Sequence, residues 1–268
     1  MSEIIFPEKL YKYRIWGDKY HRKILTHNEV YFTSIANFND PFEGVIPIRY
    51  DLLTDKEVLI LTKRLLRKKY PFISSKEAKR KAERKLRKAP NKPYQNREES
   101  MRLQYEYRKK NFGIFSLTED PYNIVMWSLY ADSHKGFCVG FKTTRLVNWL
   151  GHSVLTEPCK VEYVEEFPII KVNLSDDPEY IKKSLITKSK QWVHEKEWRL
   201  ISLEQNKTNS PIKIGPRIIC EVILGCRISE QDKQEIIMSL SQRGYEINLF
   251  EAAITDSEFG LSFQKLDI

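Results

Sequence analysis

Glycine is sparse in this chain, and none of the glycine patterns that bind phosphate groups is present. The 268 residues include 10 scattered glycines, and neither G-x-G-x-x-G nor a Walker sequence occurs. Those patterns matter because a glycine-rich turn lets backbone N–H groups approach a phosphate at the start of a helix. A kinase or dehydrogenase built on such a motif is therefore not expected.

Cysteine and histidine are also too few, and too widely spaced, for a recognisable metal site. Four cysteines lie between 138 and 226 without the short spacing of zinc or redox motifs, and five histidines form no H-E-x-x-H. We expect the cysteines to be reduced thiols of the core. The sequence predicts no bound metal.

Long apolar runs are absent as well. No window approaches the ~18 apolar residues that a membrane span requires, and the first residues, MSEIIFPEKLYKYR, contain no apolar signal region. We therefore expect a cytoplasmic protein without a membrane partner. Nothing in the sequence indicates an oligomeric state.

Positive charge is concentrated in one segment. The net charge is +9, but residues 60–110 contain 19 Lys and Arg against 5 Asp and Glu, so this segment carries +14 and the remainder −5. It could bind nucleic acid or an acidic protein, with Tyr94, Tyr105 and Tyr107 available for stacking on bases. A solvated helical face that keeps the protein in solution is the other interpretation.

The pattern of apolar residues predicts an α+β fold. Strands outnumber helices and do not alternate strictly with them, which argues against a doubly wound sheet. The first strand is predicted over 10–14, and helices are predicted over 18–27 and 177–192. We expect residues 1–268 to form a single α+β domain with a basic helical insertion at about 54–110.

The stretch EKEWRL, residues 195–200, reads as a strand with an unusual face. In the side-chain period of two, Glu195, Glu197 and Arg199 share one side while apolar residues take the other. One interpretation is an exposed edge face with a salt-bridged pair. The other is an acid pair that faces a cleft.

Other polar groups occur at turns and strand ends. They lie in LYKYR with Tyr11 and Arg14, in FNDPFE with Asn39 and Asp40, and in FSLTEDPYNIVMWSLYADSHKGFCVGF with Ser116, Trp127 and Tyr130. Each motif alone is compatible with a structural role, such as a buried tyrosine or a capped turn. Their coexistence favours a site, because catalytic groups tend to come from loops and strand ends of one rigid sheet.

Together with EKEWRL, and in this order, these motifs resemble the bacterial domain-of-unknown-function family 2971 over roughly residues 8–202. The basic insertion is not part of what this resemblance implies. At the level of fold, the chain also resembles ADP-ribosyltransferases, which are compact α+β domains with a split, mainly antiparallel sheet. Those enzymes bind NAD without a Rossmann motif, and several carry a late Glu-x-Glu.

The second resemblance implies NAD as substrate and a role for each candidate residue. Glu197 would stabilise positive charge on the ribose, and Glu195 would orient or deprotonate an acceptor. Arg14 would hold the pyrophosphate, and Tyr130 would stack on nicotinamide or adenine. The remaining candidates for binding NAD are Tyr11, Asn39, Asp40, Ser116 and Trp127.

The leading hypothesis is an NAD-using ADP-ribosyltransferase-like enzyme or NAD hydrolase, of the kind found among toxins and anti-phage effectors. A nucleic-acid-binding protein that acts through residues 60–110 is an alternative from a different class. A metal-dependent nuclease built on Asp40, Glu43 and the two later glutamates is a third.

Overall fold

The computed structural model describes residues 6–88, 97–150, 157–172, 179–202 and 209–267. The strands are β1 Lys9–Arg14, β2 Glu29–Ser34, β3 Gly113–Thr118, β4 Phe137–Lys142, β5 Cys159–Lys160, β6 Glu162–Val164, β7 Thr187–Ser189, β8 Glu197–Ser202, β9 Ser210–Lys213, β10 Ile219–Leu224, β11 Asn248–Ile254 and β12 Leu261–Leu266. The α-helices are α1 Lys23–Thr26, α2 Asp55–Lys69, α3 Ser75–Lys88, α4 Arg97–Asn111, α5 Ile124–Tyr130, α6 Thr143–Leu150, α7 Glu179–Ile186 and α8 Glu230–Ser241.

A ten-stranded, mainly antiparallel sheet runs through the described part of the chain. One half has the order β12-β11-β10-β4-β1, and the other half contains β9, β2, β3, β8 and β5. Within this sheet, β10 and β11 pair in parallel. The predicted α+β class with a split, mainly antiparallel sheet is confirmed.

The two halves of the sheet meet at one position. β1 pairs with β4 along its whole length but with β3 only where Tyr11 faces Thr118. β3 in turn pairs fully with β8 and meets β2 at its opposite end, at Gly113 and Ile114. The middle of β3 therefore has no strand on the side towards β1, and the sheet is open there.

Apolar side chains cover both faces of the sheet, as the alternation along each strand requires. Phe137, Val139 and Phe141 of β4 pack into the largest cluster of the core, whereas Cys138 between them packs on the other face with Trp127. The two faces of β4 thus belong to two separate apolar clusters. One cluster includes residues of α8, and the other includes residues of α5.

The basic segment forms helices, as its periodicity predicted. Thr54 and Glu57 form a capping box at the start of α2. Ala78 and Ala82 give α3 a narrow buried stripe, and the Ser74 hydroxyl accepts the amide of Glu77 at its start. No helix among the described residues is both long and apolar enough to cross a membrane.

Two of the predicted helices are wrong in extent. Only Lys23–Thr26 is α-helical within 18–27. In 177–192 the described helix ends at Ile186, and the next residues form β7 because they pair in parallel with β6. A pairing with a distant segment has overridden local helical spacing, and a 3-10 helix over Lys190–Glu195 follows.

We expect Phe141→Ala to lower the free energy of unfolding by about 3–5 kcal/mol, because it would leave a cavity in the core. The ring of Phe141 is fully buried and meets the Phe115 ring edge-on at 5.8 Å. Urea unfolding measures the change. The matched control is Phe259→Ala, at a fully exposed ring, which should stay within about 0.5 kcal/mol of the parent. Equal losses for the two variants would contradict this assignment of the core.

Candidate functional site

A cavity of about 310 Å³ lies where the sheet is open between β1 and β3. Residues 11–15 of the first strand and its end form one wall, and residues 116–118 of the third strand form another. The turn around 37–43, helix α5 and the segment 188–197 complete the lining. Because both strand edges and loop residues face this space, it can present polar groups from segments far apart in sequence.

Five buried charged side chains form a cluster at the base of this cavity: Glu43, Lys188, Glu195, Glu197 and Arg199, each at most 5% exposed. The Lys188 ammonium contacts all three carboxylates, at 3.0 Å from Glu43 Oε1 and 3.2 Å from Glu197 Oε2. Arg199 binds Glu197 through Nε at 2.8 Å and Nη2 at 2.9 Å, and Nη2 also contacts Glu43. Three carboxylates thus face two cations, which leaves one excess negative charge when all five groups are ionised.

The electrostatics of this cluster keep its main members ionised. Burial acts to raise the pKa of Glu197, but Arg199 and Lys188 outweigh burial and lower that pKa to about 2. Burial also acts to lower the pKa of Lys188, yet the three carboxylates raise it above the usual value for lysine. For Glu43, burial prevails and the pKa is raised. The negative charge is therefore held more firmly on Glu197 than on Glu43, although both carboxylates contact Lys188 and Arg199.

Two backbone features bring the carboxylates of Glu43 and Glu195 to the cluster. Gly44 has φ of +70°, and a Cβ there would lie 2.8 Å from Ile35 Cδ1, so the turn that carries Glu43 requires glycine. Lys196 is also left-handed, with φ of 43°, and separates the 3-10 helix from β8. This reversal lets Glu195 and Glu197 approach the same ammonium from different elements.

A chain of hydrogen bonds joins the cluster to the cavity wall. Asn39 Nδ2 donates to the Tyr130 hydroxyl at 2.9 Å, and that hydroxyl donates to Glu195 Oε1 at 2.7 Å. Burial, followed by the Glu195 carboxylate, raises the pKa of Tyr130, which keeps the phenol protonated. Tyr130 therefore fixes one oxygen of Glu195 and holds its own ring at the cavity.

Two basic side chains on β1, Lys12 and Arg14, line the cavity without forming a salt bridge among the described residues. Lys12 Nζ donates to the Ser116 carbonyl at 2.6 Å, and burial, with Arg14 beside it, lowers the pKa of Lys12 to about 7. Arg14 makes one long bond of 3.4 Å from Nη1 to the carbonyl of Tyr13. They differ from Lys188, which forms three salt bridges, because Glu197 and Glu195 act on Lys12, and Asp18 on Arg14, only through longer-range electrostatics. Arg14 in particular can bind an anion.

The structure brings together seven of the nine side chains predicted for the site. Those that line the cavity are Tyr11, Arg14, Asn39, Ser116, Tyr130, Glu195 and Glu197. Trp127 does not: it is fully buried in the core, where its Nε1 donates to the Pro121 carbonyl. Asp40 does not line it either, because its Oδ1 accepts the amide of Phe42 and closes the turn.

The exposed-edge interpretation of EKEWRL is wrong, because Glu195, Glu197 and Arg199 are all buried. The assignment of Glu195 to the strand is also wrong, since it ends the 3-10 helix and β8 begins at Glu197. The two acids nevertheless converge. Their meeting depends on Lys188, which the strand period cannot indicate.

Several residues of the site were not predicted from the sequence. Lys188 lay within the predicted helix 177–192, and no local signal marked it. Lys12 could have been found, because the alternation in LYKYR puts it on the same side of β1 as Arg14. Among the described residues, no three His, Cys, Asp or Glu side chains are placed to hold a metal ion, and the carboxylates of the cluster are occupied by Lys188 and Arg199.

Comparison with known families bears on this same part of the molecule. Residues 126–200 match the family model described as protein of unknown function (DUF2971). This match confirms the resemblance over the part of the chain that contains MWSLYA and EKEWR, whereas LYKYR and FNDPFE lie outside the matched residues. The DUF2971 match contains four members of the charge cluster together with Tyr130. The chain matches no curated protein and no solved structure in these comparisons, so the resemblance to ADP-ribosyltransferases stays a prediction.

Glu197 should make the stability of the protein depend on pH in acid. Its folded pKa of about 2 lies below the value of about 4.3 expected in the unfolded chain. Its charge therefore stabilises the fold fully above pH ~5, and this contribution is lost as the pH falls towards ~2. We expect Glu197→Gln to lower the free energy of unfolding at pH 7 and to flatten its decline between these pH values.

Urea unfolding at a series of pH values measures this effect. Glu165→Gln makes the same chemical change in an exposed pair with Lys190 and should keep the parental pH profile. A parental profile for Glu197→Gln would show that the carboxylate gains nothing from its two cations.

Proposed function

We propose that the cavity is an active site for an NAD-using enzyme that breaks the bond between ribose and nicotinamide, as an NAD hydrolase or ADP-ribosyltransferase. The observation that carries this proposal is the arrangement of charges around one cavity. A cluster of three carboxylates and two cations forms its base, and two basic side chains, Lys12 and Arg14, lie on the β1 wall without a salt bridge among the residues that the structure describes.

The negative base suits the charge that develops in this reaction. When the glycosidic bond breaks, C1′ of the ribose gains oxocarbenium character, and a fixed carboxylate nearby stabilises that charge without reorganisation. Glu197 is held by two cations in one position, and Tyr130 holds Glu195. Both acids are thus rigid before a substrate binds, which is the condition for such stabilisation.

The reaction itself needs one acceptor. The bond between C1′ and the nicotinamide nitrogen breaks, and its electron pair leaves with neutral nicotinamide. A water molecule, or the nucleophile of an acceptor, then forms the new bond to C1′ and releases one proton. Glu195 lines the cavity and is placed to accept that proton. Arg14 supports the same assignment, because a planar guanidinium can bind phosphate oxygens in pairs.

Incubation of the purified protein with NAD, followed by measurement of free nicotinamide, tests the proposal. We expect release by the parent and a decrease of at least ~100-fold for Glu195→Gln and for Glu197→Gln, since loss of one preorganised charge-stabilising group has effects of this size. Tyr130→Phe removes only a hydroxyl and should give a smaller decrease.

The matched control is again Glu165→Gln, which should release nicotinamide at the parental rate. Urea unfolding at neutral pH identifies any variant that has failed to fold, and Tyr130→Phe keeps the test informative in that case. A parent that releases no nicotinamide, with water or with added acceptors, would contradict the proposal, as would full activity in both glutamate variants.

The basic helices favour nucleic-acid binding as a second candidate function. The cations that α3 exposes are Lys76, Lys79, Arg80, Arg84, Lys85, Arg87 and Lys88. Phe72, between α2 and α3, is fully exposed, and Tyr70 has the ammonium groups of Lys69 and Lys81 at 5.5 and 5.6 Å from its ring centre. Exposed rings among cations are the elements of single-strand binding.

Fluorescence anisotropy with a labelled single-stranded oligonucleotide over a salt series tests this candidate. We expect binding whose affinity falls steeply with salt, and a slope reduced by about 1 to 1.5 for Arg84→Glu combined with Lys88→Glu, because each lost phosphate contact on a single strand contributes about 0.7. Lys135→Glu with Lys190→Glu changes the net charge equally outside these helices and should keep more of the slope. Identical slopes for the two double variants would contradict a specific role for α3.

A further inference from the structure

A second cavity adjoins the first and shares part of its wall. Its volume is about 590 Å³, compared with about 310 Å³ for the first, and Arg14 and His21 line both. Both volumes fall in the range of about 300–1,000 Å³ typical of ligand pockets. A ligand that lies across Arg14 can therefore place one group in each cavity.

The shared wall is suited to an anion. Arg14 has five N–H donors, and within the described residues its one hydrogen bond is the long contact with the Tyr13 carbonyl. His21 Nδ1 accepts the amide of Ile15 at 3.3 Å, which leaves Nε2 as a donor in the neutral ring. Burial, with Arg14 nearby, lowers the pKa of His21 to about 4 and keeps the ring neutral at pH 7. The shared wall thus presents the positive charge of Arg14 and, beside it, the neutral donor Nε2 of His21.

The second cavity offers groups that suit a nucleoside. The Tyr31 hydroxyl donates to the Asn209 carbonyl at 2.7 Å, which fixes its ring on the wall of this cavity. Asp18 lines the same cavity, and its Oδ1 accepts the amides of Tyr20 and His21 at 2.7 and 3.1 Å, which fixes the carboxylate there. A fixed aromatic ring and a carboxylate are the partners that a base and a ribose require.

We infer that the second cavity is a nucleoside subsite, which holds one half of a dinucleotide while the diphosphate lies on Arg14 and the other half enters the first cavity. The inference rests on the proposed function for the identity of the group in the first cavity. It does not require any bond to be cleaved.

Isothermal titration of the full chain with ADP and, separately, with nicotinamide mononucleotide tests the subsite. We expect Tyr31→Ala to weaken ADP binding at least ~5-fold, since stacking on an aromatic ring contributes that much for a base, and to change the affinity for nicotinamide mononucleotide less than ~2-fold. Arg14→Met should weaken both ligands. The matched control, Phe259→Ala, removes a fully exposed aromatic ring that lines neither cavity and should weaken neither.

The outcomes separate this inference from the proposed reaction. No ADP binding by the parent, or equal ADP affinity for the parent and Tyr31→Ala, would overturn the subsite even if NAD were hydrolysed. ADP binding that depends on Tyr31 and Arg14, in a protein that releases no nicotinamide, would support the subsite and count against the reaction.

Discussion

Two buried cations hold together parts of the chain that are far apart in sequence. Arg199 on β8 contacts Glu43, 156 positions earlier, and Lys188 on β7 contacts the same carboxylate. The interior makes such contacts strong, but each ion has also lost its hydration, so removal of one member leaves an uncompensated charge that costs more than the pair contributes. The turn around Glu43, the short strand β7 and β8 therefore depend on one another, and the cavity exists where they meet.

Cations at the cavity fall into two classes, and this division connects structure with function. Lys188 and Arg199 are satisfied by carboxylates and serve to fix them. Lys12 and Arg14 lie on β1, where their hydrogen bonds within the described ranges of the chain go to backbone carbonyls. Removing Lys12 and Arg14 from water without a salt bridge among the described residues costs free energy. Stability alone therefore does not explain their position. An anionic ligand that completes these contacts accounts for both classes with one set of interactions.

The sequence was informative where the signal is local. Alternation in LYKYR located β1, and the motifs at turns and strand ends contained seven of the residues that line the cavity. The sequence was not informative where pairing between distant segments determines the secondary structure. Lys188 lies in a three-residue strand that forms against β6, and helical spacing around it gave the wrong element.

Trp127 shows a related limit. The three- and four-residue spacing on α5 is the same for a side chain that faces a ligand and for one that faces the core. Only the position of the helix against β1, where the ring meets Tyr13 edge-on at 5.1 Å, distinguishes the two. Glu195 shows the opposite case. Its convergence with Glu197 was predicted from the two-residue period of a strand, although the backbone leaves the strand conformation at Lys196.

The single pairing between the two halves of the sheet also has a mechanical consequence. Elsewhere a strand is tied to its neighbour by a ladder of several bonds, but here the ladder between β1 and β3 is reduced to Tyr11 and Thr118. A molecule bound between β1 and β3 would connect the two strands where backbone pairing is missing. Binding in the cavity would then reduce the motion of both halves of the sheet, because ordering one half would lower the entropic cost of ordering the other.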